Sequence, residues 1–168
     1  MKHTGFTLIE LIVVIGVILI ISVLTILNYN LYTDKQKVKQ AGLTLRTDLR
    51  LARTKATSGQ KTALCVNDST LEGYDIDFLA NCNGKGPCYT TKPVCSQNGT
   101  AIDTSNEISY QYLPAGITFG GTYPIIRFFT VTGVTDLTGD QIIVLSGKGG
   151  TYSVSVTQSG VISDYNTL

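Results

Sequence analysis

Histidine occurs once, at His3, methionine once, tryptophan nowhere, and charged residues make up only 15% of the 168. With no imidazole beyond residue 3, a Ser-His-Asp triad or a His-based acid–base pair has no basis in the body of the chain. The formal net charge is +1, so global electrostatics give no reason to expect a polyanionic partner. Proline is scarce, with none before Pro87, and nothing of that kind interrupts a helix in the first half. The most telling absence is local. Between Phe6 and Leu27 there is no basic residue and a single acid, Glu10.

What fills that stretch is mostly Leu, Ile and Val, relieved by Gly16, Ser22 and Thr25. About 20 mainly apolar residues suffice to span a bilayer core as a helix, so residues 6–27 read as a transmembrane segment. A secretory signal peptide would instead show an apolar region of about 7–15 residues followed by a small-residue cleavage site. Here the run is longer, and the small residue, Gly5, precedes it. Lys2 favours a short cytoplasmic start and an exported carboxyl-terminal body. Lys35, Lys37 and Lys39 on the far side pull weakly the other way. Glu10 stands apart, because an uncompensated carboxylate inside an apolar segment is costly and is read as functional until a partner is named.

Lys2-His3, then Gly5-Phe6-Thr7-Leu8-Ile9-Glu10, resembles the class III leader of bacterial type IV pilins and type II secretion pseudopilins. The resemblance implies that residues 1–5 are a cytoplasmic leader, cut after Gly5 by a prepilin peptidase, with Phe6 becoming an N-methylated amino terminus. It also makes Glu10 the fifth mature residue, the one expected to act in assembly. The partners it implies are other pilin or pseudopilin subunits, the peptidase, a filament assembly platform and the membrane.

Past the apolar run, Leu31, Val38, Ala41, Leu45, Leu49, Ala52 and Ala56 recur at helical spacings, with Arg46, Arg50 and Arg53 flanking the stripe. Residues 28–58 are therefore an amphipathic continuation of the same helix, stopped at Ser58-Gly59. Residues 59–168 turn to alternation and Gly/Asn/Pro punctuation. Strands are expected at Lys61–Val66, Leu71–Leu79, Glu107–Leu113, Ile125–Val131, Gln141–Ser146, Thr151–Thr157 and Val161–Tyr165. Ser146–Gly150 and Gln158–Gly160 read as hairpin turns. The fold class is α+β, a long amino-terminal helix packed on an antiparallel sheet, with the pilin resemblance implying the same. Leu45-x-x-Asp48-Leu49-x-x-Ala52-Arg53-x-x-Ala56 further resembles the helix of H-type minor pseudopilins and FimT-like minor pilins.

Cys65, Cys82, Cys88 and Cys95 are even in number and, outside the cytoplasm, imply disulfides. Four cysteines allow three connectivities. The local choice is Cys88–Cys95 with Cys65–Cys82. A zinc site is disfavoured, because no C-x-x-C occurs and only His3 could supply an imidazole. Asp75 with Asp77, and Asp136 with Asp140, could pair for calcium but read better as solvated surface acids. No cofactor is expected, and no enzyme activity. The function expected is a structural subunit of a type IV pilus or type II secretion filament. The alternative is a DNA-binding minor pilin, using Lys35, Lys37, Lys39, Arg46, Arg50, Arg53, Lys55 and Lys61 as a basic stripe. The resemblance ranks DNA unlikely, because the DNA-binding members share a basic carboxyl-terminal motif and Ser159–Tyr165 holds no basic residue.

Overall fold

With no proline to break it, the first part of the chain forms one helix, α1, unbroken from Leu8 to Thr57. In the computed structural model, residues 7–65, 69–102, 104 and 107–165 are described, without the side chains of 23–30 and 64. At about 1.5 Å per residue α1 is roughly 75 Å long. It ends at Ser58, whose N–H donates to the Thr54 carbonyl; the N–H of Gly59 donates to the Ala56 carbonyl, and Gly59 sits at φ +61°, where glycine carries no Cβ penalty.

Among the described residues nine strands follow: β1 (Thr70–Leu79), β2 (Cys88–Gln97), β3 (Thr100–Ala101), β4 (Ser109–Tyr112), β5 (Ile117–Phe119), β6 (Ile126–Phe129), β7 (Gln141–Gly147), β8 (Gly150–Val156) and β9 (Ile162–Asp164). They make two antiparallel sheets, not the one expected. The first runs β3-β2-β1-β6 with β4 also on β2, and the second runs β5-β7-β8-β9. The Lys61–Val66 strand is a correction too. Ala63–Cys65 is a short 3-10 helix, and Val66 lies outside the described residues.

Val38, Ala41, Leu45, Leu49, Ala52 and Ala56 are buried along one stripe of α1, against Tyr74, Ile76, Ile126 and Phe128 of the first sheet and Ile143, Leu145, Tyr152 and Val154 of the second. Leu31, expected in that stripe, is instead 63% exposed because it precedes the part of the helix the sheets cover. Phe78, Phe119 and Tyr123 meet edge-on with centroids 5.6–6.2 Å apart, joining the two sheets.

Gly42 marks a close crossing of helix and second sheet. A Cβ placed there would lie 2.0 Å from the Tyr152 ring. Alanine would favour the isolated helix by about 1 kcal/mol. The ring cannot retreat, since it is buried and its hydroxyl is tied to Asp164 at 2.6 Å. Gly42→Ala is therefore expected to lower stability by about 2 kcal/mol, the overpacking cost exceeding the helix gain. A urea midpoint that rises in the variant would contradict this packing.

The disulfides correct the local pairing. Cys65 joins Cys95 and Cys82 joins Cys88, with Cα separations of 5.8 and 6.0 Å. Cys88 and Cys95 begin and nearly end the same extended strand. Seven residues at about 3.3 Å each hold them roughly 23 Å apart, far beyond disulfide reach. In the β1–β2 register Leu79 faces Cys88 and Leu71 faces Cys95, so each cysteine is presented to what flanks β1.

Candidate functional site

The apolar part of α1 stands clear of the body. From Leu8 to Ile21 the large aliphatic side chains are 49–76% exposed, on every side of the helix. A helix apolar all round is one that other apolar matter must cover. Ser22 fits that surrounding, its hydroxyl donating to the Ile18 carbonyl at 2.7 Å. Among the described residues no helix is long and apolar enough to cross a membrane. In the sequence the apolar run continues from Val23 to Leu27, whose side chains lie outside those described.

At the start of this helix sits a capping box. The Thr7 hydroxyl accepts from the Glu10 N–H at 3.4 Å, and Glu10 Oε2 accepts from both the Thr7 N–H and the Thr7 hydroxyl at 2.9 Å. Glu10 thus has an intrachain role as well as any assembly role. The T-x-x-E spacing that signals this was present in the sequence and points to Thr7 as a residue to add to the site. Gly5 and Phe6, the cleavage residues, lie outside the described residues.

The other half of α1 is fastened to the end of the chain. Arg46 pairs with Asp164, which also accepts from the Tyr152 hydroxyl. Arg50 donates to the Ile162 carbonyl at 2.9 Å. Arg53 lies against Gly133 and Gly160, whose added Cβ atoms would each stand 3.1 Å from its Nε. Asp48 accepts from the buried Tyr89 hydroxyl. The residues of the Leu45–Ala56 pattern therefore share one task, holding both sheets on the helix. Lys61 is likewise engaged, donating to the Ser69 carbonyl at 2.8 Å, and Lys37 pairs with Asp34 at 3.3 Å. The eight cations form no continuous free stripe.

Asp75 corrects a further expectation. It is 4% exposed, not solvated, and accepts from Arg127 Nε and Nη2 at 2.7 and 3.1 Å. Those bonds, and the acids around it, hold the Arg127 guanidinium more firmly protonated than usual. Asp136 accepts from the Arg127 N–H at 2.9 Å. Cross-strand register explains the pair, since Asp75 of β1 faces Arg127 of β6 directly. Sequence alone gave no sign of it, because the two are brought together only by the sheet.

Burial and the bond to Asp164 push the Tyr152 hydroxyl up to about 12, and burial with the bond to Asp48 pushes Tyr89 up as well. Both folded-state values lie above the unfolded one near 10. The folded state thus keeps these protons longer, and the stability they contribute is whole below about pH 10. From about pH 10 upward it is lost as the unfolded chain ionises first, the Tyr152 share by about pH 12. Urea midpoints should be flat to about pH 10 and then fall, and Tyr152→Phe should make that fall shallower. An unchanged slope in the variant would remove Tyr152 from the account.

Residues 1–26 match the family model of the prokaryotic N-terminal methylation motif. No curated protein and no solved structure matches the chain. The motif match, on the stretch that carries the capping box and the exposed apolar helix, supports a type IV pilin-like subunit.

Proposed function

We propose that this chain is a minor pilin or minor pseudopilin, a structural subunit of a type IV pilus or type II secretion filament. In this reading prepilin peptidase cuts between Gly5 and Phe6. Residues 6–27 hold the subunit in the cytoplasmic membrane, single-pass with the body exported, until an assembly platform extracts it. The same apolar helix then packs among others in the filament core. The H-type or FimT-like character rests on the Leu45–Ala56 pattern.

The observation that carries the reading is a helix apolar on all sides, exposed from Leu8 to Ile21, within a matched methylation motif. Lipid and neighbouring helices are the two surroundings that satisfy such a surface without new polar contacts. No catalytic role is assigned. Recovery of the tagged chain in sheared filaments, and its loss to the membrane pool when the peptidase is absent, is the expected result. A chain that stays in the membrane fraction of filament-bearing cells with active peptidase would overturn the assignment.

A further inference from the structure

Lys35, Lys37 and Lys39 are exposed on α1 shortly after the apolar run, and Lys148 is exposed in the β7–β8 turn. The turn is brought to this part of the helix by Gly149. A Cβ on Gly149 would lie 2.3 Å from the Asp34 carbonyl carbon and the Lys35 nitrogen, so only glycine allows the approach. Together with the turn at Ala115-Gly116 it borders a cleft of about 310 Å³, whose lining includes Lys37, Lys148 and Asp34. Among the described residues Asp34 is the only acid lining the cleft, and its salt bridge is to Lys37. Four lysines against one aspartate gather at the end of the body nearest the apolar helix.

Their height matters. Lys35 and Lys37 follow Leu27 by eight and ten residues, roughly 12 and 15 Å along the unbroken helix axis. The headgroup layer on one side of a bilayer is about 5–8 Å thick. Helical side chains lean toward the amino terminus, here toward the bilayer, and lysine stems carry the charge further. With residues 6–27 in the hydrocarbon, a stem of about 6 Å leaning back along the axis brings the Lys35 ammonium into that layer and the Lys37 ammonium to its outer edge.

We infer that this pole is a lipid-facing surface that seats an anionic phospholipid headgroup in the cleft between Lys37 and Lys148 while the subunit is stored in the membrane. The inference rests on the membrane reading given above. It gives a task to lysines that otherwise stand on the exported side against the usual charge bias. Extraction into a filament would break the contact, so anionic lipid would favour the stored pool over the assembled one.

The test uses the full chain reconstituted into vesicles of phosphatidylcholine, with or without phosphatidylglycerol. Amide hydrogen exchange is followed in residues 35–39 and 147–150. Phosphatidylglycerol should slow exchange there by roughly threefold or more, added salt should reverse this, and Lys37→Gln with Lys148→Gln should abolish it. Glycerol phosphate added to phosphatidylcholine vesicles should not reproduce the effect; if it does, the site takes free phosphate and the lipid assignment is wrong. Equal exchange in both vesicles, with the chain resistant to carbonate extraction, overturns the inference alone. Protection that follows protein density instead of lipid charge assigns the pole to a neighbouring subunit and also overturns it. A chain washed off by carbonate overturns the membrane reading itself.

Discussion

Glu10→Gln is expected to insert and to be cleaved like wild type, yet to fall at least roughly tenfold in its filament-to-membrane ratio. The structure supplies a competing role for Glu10, the capping box with Thr7, and the choice of glutamine separates the two. Glutamine serves a capping box nearly as well as glutamate, so the helix start should survive. What glutamine lacks is charge. In the proposed reading, cleavage after Gly5 would leave an ammonium on Phe6, and in a filament core that cation and the Glu10 carboxylate of an adjacent subunit would be natural partners. Removing one leaves the other charged in an apolar setting, at a cost of several kcal/mol. Since 1.4 kcal/mol is a factor of ten, even a fraction of that cost lowers incorporation steeply. Glu10→Val, which removes both charge and cap acceptor, should be no better than Gln. Thr7→Ala keeps the carboxylate and weakens the cap by about 1 kcal/mol. If Thr7→Ala reproduces the Glu10→Gln defect, the carboxylate acts through the cap. If all three variants assemble like wild type, Glu10 is a bystander.

Loss of the Cys65–Cys95 bridge should be the most damaging change to the body. It closes 30 residues, and in the chain-entropy model such a loop is worth about 3–4 kcal/mol. Cys82–Cys88 closes only 6, worth about 2 kcal/mol in the same model. Domains of this kind have roughly 5–15 kcal/mol in hand, so the first loss takes a large share. Both Cys65 and Cys95 are fully buried, and replacing them leaves the seam between the 3-10 helix and β2 without its tie. In urea, Cys65→Ala/Cys95→Ala should therefore unfold well before Cys82→Ala/Cys88→Ala. Equal midpoints, or a non-reducing peptide map that links Cys88 to Cys95, would contradict the pairing.

The helix was legible from sequence because its signals are local: an unbroken apolar run, a periodic stripe and a Ser-Gly stop. Six of the nine strands were legible for the same reason, alternation between turn residues. β2 was not, because Pro93 and Lys92 sit in its middle and proline demotes a strand. The register explains how it is tolerated. β4 pairs with β2 at Cys88–Thr91 and β3 pairs at Ser96 and Gln97, so Pro93 falls in the gap between them, where no strand among the described residues pairs with it on that side and its carbonyl accepts from the Thr104 hydroxyl at 2.7 Å. Without β2 between them, Cys88 and Cys95 read as near neighbours in sequence, and this led directly to the wrong disulfide pairing. Within the candidate site, Glu10 stood out through its isolation, and Thr7 was readable from the T-x-x-E spacing. The fastening of Arg46 and Arg50 to β9 was not, since it joins residues more than a hundred positions apart.

The most direct test is the intact mass of the chain recovered from sheared filaments. The account predicts a single species that begins at Phe6, carries one amino-terminal methyl group and contains two disulfides. A chain recovered there still beginning at Met1 would contradict it.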